Sequence, residues 1–174
     1  FFGVNRTFEN ESSVIELSLD KSIKIDDKTD INNLTISIYN FDETLAPKGK
    51  TCIRVLMKND NYMYWEELRK NNIQKYNFEK ERIVNSIIDV LEKRYPDFKE
   101  NIETYDVCTP ATFIRYTNNW KGSNQGWNWL PGIIPESIKK ELPGLKNFYQ
   151  VGQWVFPGGG IPSALISGRD IARI

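Results

Sequence analysis

Leu34-Thr-Ile-Ser-Ile-Tyr39 alternates apolar and polar residues without a break. Successive side chains of a strand point to opposite sides, so Leu34, Ile36 and Ile38 share one face and Thr35, Ser37 and Tyr39 the other. A single apolar face implies a sheet buried on one side, the pattern of antiparallel pairing. The same period recurs on either side of this stretch. Ile15, Leu17 and Leu19 alternate with Glu16, Ser18 and Asp20, and Ile53, Val55 and Met57 alternate with Arg54, Leu56 and Lys58. Phe2 to Phe8 reads as a further, less regular strand. Asp26 to Asp30 and Ala46 to Lys50 have turn-type composition. Residues 1 to about 60 therefore predict sheet, most of it scaffold.

The period changes at Asn61. Tyr64, Trp65 and Leu68 fit one face of a short helix that Asn71 and Asn72 would end. Asn77 reads as the cap of a second helix, with Glu79 and Glu81 in its first turn. Ile83, Val84, Ile87, Ile88 and Leu91 keep helical spacing as far as Arg94, and Pro96 forces the end. Ile102 to Cys108 alternates as a strand. Thr109 and Pro110 suit a helix start, with the helix continuing to Asn118. Trp120 to Trp129 is rich in Gly and polar residues yet holds three tryptophans, as an aromatic loop at a pocket or over a core would. Pro131 to Leu142 carries a short helix signal, which Pro143 and Gly144 close. The fold class that results is α+β, an antiparallel sheet with helices packed on one face.

Composition narrows the chemistry. The 174 residues carry 23 basic and 23 acidic side chains and no histidine. A net charge of zero argues against general nucleic-acid binding. The lack of histidine removes His-based triads and His-bound metals, and no metal site is expected. Cys52 and Cys108 form no CxxC pair and read as two buried free thiols. No apolar run reaches the roughly 18 residues of a membrane span. A chain of this size can bury about 70% of its unfolded surface. Three Asn-x-Ser/Thr sequons read as accidental in so Asn-rich a chain. There is no internal repeat. Because Phe1 already reads like a strand interior, the expectation is a segment of a longer protein.

The last stretch is of a different kind. Gln150 to Phe156 can extend as a short apolar strand. Gly158, Gly159 and Gly160 supply a turn without side chains, and Pro162 suits the first turn of a helix running to about Ile174. Ala164, Gly168 and Ala172 recur every four residues, a nearly bare face that a neighbouring element can approach closely. Free N–H groups and the positive end of a helix dipole would converge at the glycines, a setting for an anionic or flat ligand. A glycine-rich hairpin before a packed helix is the plainer alternative.

Residues Val151, Gly152, Trp154, Pro157 to Gly160, Pro162, Ala164, Ser167, Gly168 and Arg169 follow the run V-G-x-W-x-x-P-G-G-G-x-P-x-A-x-x-S-G-R. This resembles the C-terminal flavin-binding segment of the phytoene dehydrogenase and retinol saturase family of FAD-dependent oxidoreductases. Two other blocks are similar to the family: Asp42, Ala46, Pro47, Gly49 and Lys50, and the Thr109-Pro-Ala-Thr-Phe-Ile-Arg-Tyr-Thr117 run. Gly122, Ser123 and Gly126 fit a loop that in the family leads toward the active site.

The resemblance implies FAD held in part by Gly152, Gln153, Trp154, Pro157, Gly158, Gly159, Gly160, Ile161 and Pro162. Many flavoproteins of the broader class carry an acidic residue where this chain has Gln153, so the ribityl contact stays unassigned. The resemblance further implies hydride transfer to or from the flavin that saturates or desaturates carbon–carbon bonds of an apolar isoprenoid or polyene, with no catalytic side chain assigned. Arg115, Tyr116, Trp120, Trp127 and Trp129 are the candidates for the substrate pocket. Residues 1–146 would form the substrate lobe and 147–174 the FAD-binding segment. No GxGxxG fingerprint is present, so the lobe that binds adenine and pyrophosphate would be a missing partner, and this chain alone would bind FAD weakly or not at all. The expected location is cytoplasmic or peripheral to a membrane. The rival reading is a non-catalytic ligand-binding module whose sheet and tryptophans contact glycan, lipid or peptide.

Overall fold

The computed structural model describes residues 1–127, 132, 138–156 and 158–174. They divide into two compact units, Phe1–Gly122 and Ser123–Ile174. The first holds strands β1 (Phe2–Val4), β2 (Val14–Lys24), β3 (Asp30–Ile38), β4 (Thr51–Leu56) and β5 (Ile102–Tyr105). It also holds helices α1 (Tyr62–Asn71), α2 (Ile73–Arg94) and α3 (Pro110–Thr117). The strands form one antiparallel sheet in the order β2-β3-β4-β1-β5. The class is α+β, as the alternation requires.

Register places the apolar residues together. Leu34 pairs with Leu17, Ile36 with Ile15 and Val55, and Ile38 with Ile53. Leu34, Ile36, Ile38 and Ile53 are fully buried and join one core with Ile83, Val84, Ile87, Ile88 and Leu91 of α2. Those five residues recur at the spacing that lines one helix face, so the sheet's apolar side and the helix stripe cover each other. Trp65 of α1 and Phe98 complete the same cluster.

Helix boundaries differ from expectation at one point. Helix α2 begins at Ile73, not after Asn77. Asn72 ends α1 through its N–H to Leu68 O at 2.8 Å and caps α2 by accepting from Lys75 N at 3.0 Å. One residue thus serves as both stop and start, and Tyr76 is a buried part of α2. The end falls at Arg94, before Tyr95-Pro96, as expected. Helix α3 starts at Pro110 with a reciprocal Thr109–Thr112 capping box, and the Thr109 hydroxyl shares a hydrogen bond with Tyr76 OH at 2.8 Å. The two cysteines are free, but neither is buried: Cys108 is exposed and Cys52 partly so. Among the described residues no helix is long and apolar enough to cross a membrane, and no side-chain cluster could hold a metal ion.

In the second unit α4 spans Gly160–Ile171. Half of Pro131 to Leu142, expected as a helix, lies outside the described residues. Its end is not helical. Residues 139–150 form a small hairpin around Pro143-Gly144, with Glu141 bridging Tyr149 and Gln150 N–H bonded to Lys140 O at 2.7 Å. The strand expected over Gln150 to Phe156 is a turn instead, in which Val155 N–H bonds back to Gly152 O at 3.3 Å. Gly152 adopts φ +123°, which breaks an extended path. No described strand in this unit continues the ladder, so the backbone meets its hydrogen-bonding needs locally.

Candidate functional site

The site expected from the sequence is the glycine turn and the start of α4. Gly158, Gly159 and Gly160 all have positive φ, at +98°, +61° and +76°. Among the described residues their N–H groups are engaged only at long range: Gly158 with Trp127 O at 3.4 Å, Gly159 with Phe156 O at 3.5 Å, and Gly160 with the Gln153 side-chain oxygen at 3.4 Å. Ordinary N–H···O bonds lie between about 2.7 and 3.2 Å. Three weakly held donors therefore stand at one helix start. Helix α4 has glycine as its N-cap, no side-chain cap, and no acidic residue in its first turn. Its positive end is not neutralised there.

Gln153 folds back onto Gly160 N–H. Trp154 stacks edge-on against Trp127, with centroids 5.4 Å apart and planes at 83°, and its carbonyl accepts from Trp127 Nε1 at 2.9 Å. Ile161 is 76% exposed, and Pro162 is exposed as well. Pro157 lies outside the described residues. The donor set is neutral: backbone N–H groups, one carboxamide and apolar side chains. A cradle of this chemistry fits the polar edge of a flavin ring, because it can meet a growing negative charge without an acid or base of its own. A side-chain carbon added at Gly152 or Gly160 would meet little within 4 Å, so the turn is open on that side.

The face of α4 that packs is not the small-residue face. Ser163 and Ser167 are the buried positions, whereas a side-chain carbon at Gly168 would meet nothing within 4 Å, and Ala172 is exposed. Ser167 sets the turn from below. Its hydroxyl accepts from Gly152 N at 2.8 Å and lies 2.8 Å from Ala164 O. Replacing Ser167 with alanine leaves the Gly152 N–H without its acceptor and is expected to cost about 1–3 kcal/mol. Amide exchange at Gly152 should accelerate by tenfold or more, about 1.4 kcal/mol; an unchanged rate would contradict this role. At the other end of α4, Lys140 bonds Asp170 at 2.7 Å. Hydrogen bonds from Lys140 and then Arg169 hold the Asp170 carboxyl below its ordinary value.

The described candidate pocket residues are divided between the two units. In the first unit, Arg115 lies 5.0 Å from the ring centre of Tyr116, which is 73% exposed. Trp120 is also exposed, with Lys121 Nζ 4.3 Å above its ring. In the second unit Trp127 is half exposed against Trp154. Trp129 lies outside the described residues. Sequence reasoning passed over an apolar cleft of about 400 Å³ in the first unit, lined by Gly3, Leu45, Pro47, Cys52 and Tyr105 among others. The Ala46-Pro47 turn and a Gly in β1 were its only signals.

A sheet-and-helix unit, and a second unit in which an open glycine turn begins a helix, define an α+β protein. Comparison with known proteins gives this class a relationship. No protein-family model matches the chain. It is 24% identical, over its whole length, to 34% of a 4,4'-diapophytoene desaturase (4,4'-diapolycopene-forming) of a Methylomonas species. It is 30% identical, over 76% of its length, to 25% of a phytoene desaturase (neurosporene-forming) of Rhodobacter capsulatus. It is 31% identical, over 75% of its length, to 25% of a 4,4'-diaponeurosporene oxygenase of Staphylococcus aureus. The chain thus resembles the phytoene-desaturase-like oxidoreductases, and it spans a quarter to a third of the length of these curated relatives.

Proposed function

We propose that this chain is part of a FAD-dependent oxidoreductase acting on an apolar isoprenoid or polyene substrate, and that residues 147–174 form its flavin-contacting segment. The observation that carries the reading is the set of weakly held donors of Gly158, Gly159 and Gly160 at the uncapped start of α4. The similarity to carotenoid desaturases and an oxygenase supports it. When bound, the flavin supplies hydride transfer to or from substrate carbon. The chain's own residues hold and orient. The glycine N–H groups and the α4 dipole stabilise negative charge, Gln153 and Trp154 flank the turn, and the exposed Ile161 and Pro162 offer apolar surface beside it. Residues 1–146 form the substrate lobe, whose apolar cleft and exposed Tyr116 and Trp120 suit a polyene. Adenine and pyrophosphate bind to a lobe outside this chain, so the chain by itself is inactive. The complete protein works in the cytoplasm or at a membrane surface.

The test is the visible spectrum of the purified complete gene product, with and without added FAD. Bands of bound flavin are expected there, with binding by residues 1–174 alone weaker by about a hundredfold or more, close to 3 kcal/mol. A colourless complete product that takes up no FAD would overturn the reading in favour of a non-catalytic ligand-binding module.

A further inference from the structure

The glycine turn is not free-standing; a loop far upstream in sequence, Ser123 to Trp127, lies against its back. A side-chain carbon added at Gly126 would run into the carbonyl oxygen of Gln153 and approach Gly159 Cα to 3.3 Å. The contact is reciprocal: one added at Gly159 would lie 2.5 Å from Gly126 N and 3.1 Å from Gly126 Cα. Both glycines are buried. Trp127 closes the loop over the turn at two points, donating from Nε1 to Trp154 O at 2.9 Å and accepting from Gly158 N at 3.4 Å through its carbonyl. Ser123 ties its side chain to the backbone of Gln125 and so stiffens the loop just before Gly126.

We infer that Gly126 and Trp127 are positioning residues that fix the shape of the glycine turn, Gly126 by permitting backbone-to-backbone contact and Trp127 by latching over it. The inference rests on the proposed flavin site for its functional consequence, but not for its geometry. Gly159 then has a second role besides approach to a ligand: it leaves room for Gly126. The long bonds of Gly158 and Gly160 follow from this arrangement. The Trp127 carbonyl holds the Gly158 N–H and the Gln153 side chain holds the Gly160 N–H, each at 3.4 Å. Trp127→Phe keeps a six-membered ring beside Trp154 and removes the Nε1 donor together with part of the aromatic surface. Gly126→Ala adds one carbon where the Gln153 carbonyl stands, so the backbone must separate.

The complete gene product is the material for the test, carrying Trp127→Phe, Gly126→Ala or, as control, Gly144→Ala. Gly144 has positive φ (+85°), lies in the same unit as Gly126 and has open space where a side chain would project. Two readouts are taken: amide exchange of the peptides covering Gly158 and Gly160, and FAD affinity with the shape of the bound-flavin absorption bands. Gly126→Ala should raise exchange in the turn by about a hundredfold and weaken FAD by a similar factor. Trp127→Phe should weaken FAD by about tenfold, one factor of ten per 1.4 kcal/mol, and shift the bands. Gly144→Ala should leave FAD affinity within about twofold of the parent. Unchanged exchange in the turn of Gly126→Ala would overturn the clamp whether or not flavin binds. Exchange that rises as expected in a protein that takes up no FAD would uphold the clamp and sink the flavin site. Equal FAD losses in Gly126→Ala and Gly144→Ala would reduce Gly126 to a structural glycine and overturn its positioning role.

Discussion

Phe98→Ala is expected to destabilise the first unit by about 3–5 kcal/mol, the usual cost of truncating a fully buried phenylalanine. Phe98 has no exposed surface and meets Phe2 edge-to-face, with centroids 5.7 Å apart and planes at 73°. Phe2 belongs to β1, the strand that joins β4 to β5. The ring therefore links the turn after α2 to β1, next to the edge strand β5. Its loss removes apolar burial and an aromatic pair that contributes about 0.5–1.5 kcal/mol on its own. The denaturation midpoint should fall with an unchanged slope. A loss below about 1 kcal/mol would mean that the core near β1 collapses onto the vacancy, in conflict with the packing described.

The second large effect belongs to Asp26, a carboxylate that is 2% exposed at the β2–β3 connection. It accepts from Lys28 N at 2.8 Å and Thr29 N at 2.9 Å, and from the side chains of Asn59 and Asn61, each at 3.1 Å. The hairpin is thereby tied to the residues that lead into α1. Burial pushes its pKa up, but the hydrogen bonds from Lys28, Asn61 and Thr29 outweigh burial and leave it below the ordinary 3.8. The folded protein thus binds this proton less readily than the unfolded chain. The stabilisation is complete above the unfolded value and is lost as pH falls from about 3.8 through the lower folded value. Asp26→Ala should cost about 2–4 kcal/mol at neutral pH, because four donors lose their acceptor. It should also flatten the loss of stability of the wild type below pH 4 relative to neutral pH. Equal acid sensitivity in variant and wild type would contradict the assignment.

The parts of the fold set by local period were legible. Leu34, Ile36 and Ile38 needed only alternation, and Ile83 to Leu91 only a helical repeat. What depended on distant pairing was not. Nothing in Phe2-Gly-Val or Ile102 to Tyr105 shows that β5 sits beside β1 at the far edge from β2. Asn72 misled because two roles fall on one residue: the pair Asn71-Asn72 reads as a stop, and polar Gln74, Lys75 and Asn77 hide the continuation into α2. At the candidate site, the position of the helix start was legible from Gly160 and Pro162. The apolar run from Val151 to Phe156 suggested a strand because apolarity alone does not reveal that Gly152 turns the chain. The grip of Ser167 on Gly152 and the contact of Gly126 with Gly159 are encounters between distant residues, which no local pattern encodes. Ser167 and Gly126 did lie within blocks resembling the family, but without a role.

Under the proposed function the N–H groups at the start of α4 face the flavin. Hydrogen exchange of the complete gene product, followed in the peptide spanning residues 150–163 with and without saturating FAD, tests it most directly. FAD should slow exchange at Gly158 to Ile161 by about tenfold or more, as about 1.4 kcal/mol of added protection would. No comparable change is expected at Gly49 or Gly144, which lie in other turns. Tight FAD binding with exchange in 150–163 unaltered would contradict the account, placing the flavin elsewhere and leaving the glycine turn a purely structural element.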